Sequence, residues 1–131
     1  MRLLAIRQTF EECPPEISAI GVFPDSVTHV TKGKIYEAYA IAVWSGVPVF
    51  QVIDDLGSVT WLAGWLFKIE SNDIPEDWVI NCFEGKVSLV MGPSFVAENE
   101  AAYDAMIDEE VEAKTKFWQR VRVKSAKREM S

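Results

Sequence analysis

The stretch Met91-Gly92-Pro93-Ser94-Phe95-Val96-Ala97-Glu98-Asn99-Glu100-Ala101-Ala102-Tyr103 is where the chain changes its rhythm. All six prolines and all seven glycines lie at or before Pro93. Gly and Pro punctuate turns and are kept out of helix interiors, so the two sides of Pro93 must be built differently. Downstream, at 100° per residue, Tyr103, Met106, Ile107, Val111, Phe117, Trp118 and Val121 share an arc of about 140°, the width of a core-facing stripe. Asn99 is placed to cap the start. The spacing predicts an amphipathic helix over about 99–124, roughly 39 Å long. Glu110 and Lys114 fall in the centre of the apolar arc. They form either an i,i+4 pair or the mark of a break near Asp108.

Upstream the beat is two residues. Ile35 to Val43 sets Ile35, Glu37, Tyr39, Ile41 and Val43 on one face and Tyr36, Ala38, Ala40 and Ala42 on the other. That alternation suits a strand with small residues on one side. Val47 to Ile53 is rich in β-branched residues, and Asp54-Asp55-Leu56-Gly57 supplies turn chemistry. Val59, Trp61, Ala63, Trp65, Phe67 and Ile69 share a face if the chain stays extended, with Gly64 marking a bend or a close backbone approach. Trp78 to Phe83 and Val87 to Met91 flank Glu84-Gly85-Lys86 as a hairpin. Cys13-Pro14-Pro15 and Phe23-Pro24-Asp25-Ser26 are loops. The expected fold class is α+β: a small antiparallel SH3-like β-barrel or bent sheet over 1–93, followed by a C-terminal α-helical segment over 94–124 that packs on it, and a frayed tail over 125–131.

The chain has 131 residues and a net charge of −7. Its charge is segregated. Residues 97–113 hold seven carboxylates and no base, and residues 114–131 hold seven bases against Glu129 alone. An acidic molecule is repelled by phosphate backbones and anionic lipid unless charge is segregated in this way. The apolar runs Ala38–Trp44 and Trp61–Phe67 fall far short of the ~20 residues a membrane span needs. The N-terminal residues do not read as a secretory signal. Cys13 and Cys82 read as reduced thiols in a cytoplasmic protein. His29 is the only histidine. No nucleophile elbow surrounds a serine, no Cys/His spacing suits zinc, and no glycine-rich phosphate cradle occurs, so catalysis and a cofactor are not expected.

Val30-Thr31-Lys32-Gly33-Lys34-Ile35-Tyr36-Glu37, then Val47 to Asp55, Gly57 and Leu66-Phe67, resemble small bacteriophage-encoded accessory proteins with an SH3-like β-barrel. The resemblance covers residues 28–70, about a third of the chain. It implies no catalytic residue and no cofactor. It implies a protein of the bacterial host cytoplasm that binds and modulates a host protein.

Three functional expectations follow. The first is a non-enzymatic host-modulating binder whose interface is Glu98, Glu100, Asp104, Asp108, Glu109 and Glu112 with Trp61 and Trp65. The second is a nucleic-acid-binding module using Arg120, Arg122, Lys124 and Trp118. The third is self-assembly through the helical stripe, as a structural phage protein, so that monomer and homodimer both stand as expectations.

Overall fold

The computed structural model describes residues 1–71 and 73–124 in full and the backbone of 125–130. Eight strands form two antiparallel sheets. The smaller, ordered β2-β1-β6, contains β1 (Arg2–Ala5), β2 (Ile35–Glu37) and β6 (Phe67–Ser71). The larger, ordered β5-β4-β3-β8-β7, contains β3 (Ala40–Trp44), β4 (Val47–Ile53), β5 (Val59–Ala63), β7 (Trp78–Cys82) and β8 (Val87–Pro93). Three helices follow: α1 (Ser94–Ala97), α2 (Glu100–Ile107) and α3 (Val111–Met130). The α+β class stands. Of the two β forms expected, the closed barrel is not made, because the strands divide between two sheets and the β7–β8 hairpin occupies the edge of β3.

The sequence's continuous strand over Ile35–Val43 is two strands. The chain leaves the smaller sheet after Glu37, bends at Ala38-Tyr39, and joins the larger sheet at Ala40. Its small face is buried throughout, as the alternation predicts, but the two halves face different cores. Tyr36 and Ala38 lie in the core between the sheets, with Leu3, Phe10, Phe50, Val52, Leu66 and Phe67. Ala40 and Ala42 lie in the core under the helices, with Val49, Val90, Val96, Tyr103, Met106 and Phe117. Small residues are needed there for close approach: a Cβ on Gly92 would stand 2.9 Å from Ala40 Cβ across the β3–β8 pair.

A second crossing lies at Gly64, where a 3-10 turn over Gly64–Leu66 separates β5 from β6. A Cβ there would stand 3.2 Å from Phe50 Cε2, so Gly64 marks the close approach expected of it. The turn corrects the single face drawn through Val59–Ile69. Val59 and Trp61 pack under the helices, Ala63 at the end of β5 already reaches the core between the sheets, and beyond the turn Trp65 and Phe67 belong to that core. A two-residue period survives only while the chain stays extended, and three residues of 3-10 turn reset it.

Asp55 ties the two sheets together. Its Oδ1 accepts from Tyr36 Oη (2.8 Å) and Lys34 Nζ (2.7 Å), and its Oδ2 accepts from Thr31 Oγ1 (2.6 Å). Tyr36 Oη in turn accepts from the Thr31 amide at 2.7 Å. Neighbouring Asp54 caps the turn, its Oδ1 accepting from the amides of Leu56 (2.9 Å) and Ser58 (3.0 Å), with Gly57 at φ 78°. Thr31, Lys34, Tyr36 and the Asp54-Asp55 pair are thus one polar latch between the start of β2 and the β4–β5 turn. The donors hold the Asp55 carboxyl down at about 2, the Lys34 ammonium contributing most.

The long helix expected over 99–124 is broken. Asn99 does cap α2, its Oδ1 accepting from the Ala102 amide at 2.8 Å. The helix then ends in a Schellman arrangement: the Glu110 amide reaches Ala105 O (3.0 Å) and the Glu109 amide reaches Met106 O (3.2 Å), with Glu109 left-handed at φ 54°. The break follows from Glu110 and Lys114. A continuous helix would drive both into the core, whereas here both are exposed and Ala113 and Phe117 are buried instead. The stripe splits accordingly. Tyr103, Met106 and Phe117 are buried, Trp118 and Val121 half-buried, and Ile107 and Val111 are 41% and 81% exposed. The frayed end expected over 125–131 lies outside the residues described in full.

Two outcomes are expected. Because the folded carboxyl of Asp55 titrates below its ordinary value, its stabilisation is complete above about pH 4 and is lost as pH falls towards about 2. The gap in thermal midpoint between the native protein and Asp55→Asn should therefore be widest near neutrality and close by about pH 2, read by circular dichroism. Glu109→Gly relieves a left-handed non-glycine residue and should raise stability by about 0.5–1 kcal/mol in urea unfolding.

Candidate functional site

The acidic residues expected to form an interface stay together on the helical side. Glu98 ends α1, Glu100 opens α2, Asp104 lies on its outer surface, Asp108 and Glu109 form the break, and Glu112 opens α3. All six are exposed. Glu100 and Glu112 sit in first turns, where the helix dipole favours them. Among the described residues, the ion pair recorded for this group is Glu112 with Lys116 at 3.4 Å. The face keeps nearly all of its negative field.

The two tryptophans assigned to that surface part company. Trp65 packs on the other layer, stacked on Phe10 at 6.0 Å with the Arg7 guanidinium 4.2 Å from its ring centre. Trp61 stays beside the acidic break. Its ring contacts Trp44 (5.8 Å) and Tyr103 (5.6 Å), and Trp44 Nε1 donates to Tyr103 Oη. Burial, against the opposing effect of that donor, pushes the Tyr103 hydroxyl up to about 12, so it stays protonated.

Trp44 and Trp61 form the wall of a cleft of about 350 Å³, with Gln51, Val59, Thr60, Met106, Ile107 and Glu109. The fold makes it at one seam: Gln51 and Trp61 are directly opposed on β4 and β5, and the last turn of α2 and its broken end lie over them. Gln51 is the only polar residue among the buried ones described, with 0% exposure. Both its Oε1 and its Nε2 are buried without a hydrogen-bond partner among the described residues. Buried amides are nearly always paired, and each orphaned group costs about 1–3 kcal/mol. Position 51 is visible in the sequence as a lone amide inside the apolar run Val47–Ile53, although nothing in the run says which face it takes.

The basic stripe is drawn into the fold. Arg120 grips Asp77 with both terminal nitrogens, the second at 2.8 Å from Oδ1. That guanidinium pulls the Asp77 carboxyl below its usual range. Lys124 Nζ lies 2.7 Å from Glu37 Oε1, which also faces the terminal amine at 3.4 Å, and 5.4 Å from the Tyr39 ring centre. Arg122 is exposed and lines a separate surface groove with Val111, Lys114, Thr115 and Trp118. Two of the three cations assigned to nucleic acid are therefore held by carboxylates of the β layers. Cys13 and Cys82 are free thiols, and His29 is an exposed loop residue whose carbonyl accepts from the Asp55 amide at 2.8 Å. Among the described residues no group of three or more His, Cys, Asp or Glu could hold a metal ion, and no helix is long and apolar enough to cross a membrane.

Gln51→Met keeps the volume of the side chain and removes both orphaned groups. It should raise the unfolding free energy by about 1–2 kcal/mol, measured by urea denaturation followed through tryptophan fluorescence. No family model matches the chain, and neither the curated proteins nor the solved structures give a match.

Proposed function

We propose that this protein is a non-enzymatic accessory protein, phage-encoded, that acts in the bacterial cytoplasm by binding and modulating a host protein through its acidic helical face. The observation that carries this reading is the cluster Glu98, Glu100, Asp104, Asp108 and Glu109, exposed and without an ion pair among the described residues, beside a half-exposed Trp61. A field of one sign next to an aromatic anchor favours a partner with a basic surface, speeding encounter and fixing orientation. The phage assignment rests on the resemblance over residues 28–70. The retention of Arg120 and Lys124 by Asp77 and Glu37 weighs against the nucleic-acid reading.

The experiment is capture from bacterial lysate with the tagged protein at low and moderate salt, beside the triple variant Glu100→Lys, Asp104→Lys, Asp108→Lys. One host protein should be retained by the native chain, lost with the variant, and weakened by salt as exposed charges are screened. Recovery of the same proteins by both forms, or of none, overturns the reading.

A further inference from the structure

We propose that the cleft between β4, β5 and the end of α2 binds an uncharged planar heterocycle that presents a hydrogen-bond donor beside an acceptor, the edge of a free nucleobase or nucleoside. The inference goes beyond the protein-docking reading and does not depend on it. It rests on Gln51. Gln51 lies at the base of the cleft with 0% exposure, and both polar atoms of its carboxamide lack partners among the described residues, so a flat ligand meets the amide by parting the side chains that cover it. A glutamine amide offers one donor and one acceptor side by side, which a lactam or amino-heterocycle edge satisfies with two bonds at once. A purely apolar ligand would satisfy neither.

The rest of the wall agrees with a flat ligand. Trp61 stands directly opposite Gln51 in the strand register, Trp44 contacts Trp61, and Val59, Met106 and Ile107 complete an apolar lining. Aromatic faces hold planar bases by stacking. The volume of about 350 Å³ falls at the small end of ligand pockets, which suits one base or nucleoside. Charge then sets the class more narrowly. Glu109 lines the cleft and Asp108 precedes it, with no cation among the lining residues. A phosphate would be repelled there, so the base or nucleoside is favoured over the nucleotide or a nucleic-acid strand.

The test is titration of the full chain with uracil, 1,3-dimethyluracil, adenosine and adenosine monophosphate, followed by tryptophan fluorescence and by amide chemical shifts of residues on β4 and β5. Uracil and adenosine should give saturable changes. The dimethylated analogue, which keeps the shape but has no N–H, should bind on the order of tenfold more weakly. The monophosphate should bind more weakly than adenosine at low salt, with the gap narrowing as salt rises. Gln51→Met should lose affinity for uracil on the order of tenfold. Absence of saturation with both uracil and adenosine overturns the proposal. So does equal binding of uracil and its dimethyl analogue, a comparison that needs no variant, or undiminished binding by a folded Gln51→Met. Tighter binding of the monophosphate overturns the assignment to an uncharged ligand.

Discussion

The central strands β3 and β4 carry apolar side chains on both of their faces, and that double burial governs the rest of the molecule. Ala40, Ala42 and Val49 face the helices, while Phe50 and Val52 face the smaller sheet. A strand that is apolar on one side needs one cover. These need two, so the chain supplies a second sheet below and a helical layer above. The β7–β8 hairpin widens the larger sheet on its β3 side, and α1 runs straight on from β8 to begin the upper cover. Burial on this scale is what orders a chain of this length.

Polar groups then decide how the layers are joined. Asp55 fastens the entry of β2 to the β4–β5 turn, and its three donors leave it far from protonation near neutrality. Asp77 and Glu37 receive Arg120 and Lys124, tying α3 to the strand layers. Pairs of this kind contribute little when exposed, but Arg120 and Lys124 are largely covered and their geometry positions α3 as well as stabilising it. The cations of the C-terminal helix are therefore partly structural. Among the described residues the carboxylates of α2 and of the break have no comparable partners, which leaves that face of the molecule negative.

One residue breaks the pattern of the upper core. Gln51 puts an amide where the neighbouring strand positions put valine and isoleucine. A protein that buries a polar group without pairing it accepts lower stability at that point, and such departures concentrate where a surface does something other than pack. The cleft holding Gln51 adjoins the acidic break, so the polar exception in the core and the negative field outside it lie at one seam between sheet and helix.

Much of this was legible before any coordinates. The loss of Gly and Pro after Pro93 separates strands from helices, Asn99 announces its helix, Gly64 its close approach, and Asp54-Asp55-Leu56-Gly57 its turn. These are local effects, set by backbone freedom and by side chains acting within a few residues. Periodicity could not say which core a face would join. The bend at Ala38-Tyr39 and the turn at Gly64–Leu66 exchange the faces of two strands, so Trp61 and Trp65, four residues apart, end on different layers. Nor could it choose between an ion pair and a break at Glu110 and Lys114. The pairing of Arg120 with Asp77, of Lys124 with Glu37, and the isolation of Gln51 join residues distant in the chain. Where the chain turns, caps and changes period follows from the order of its residues, because those energies are local; which charges are neutralised, and which amide is left unpaired among the described residues, emerges only on folding, because that depends on what distant segments bring to the same place.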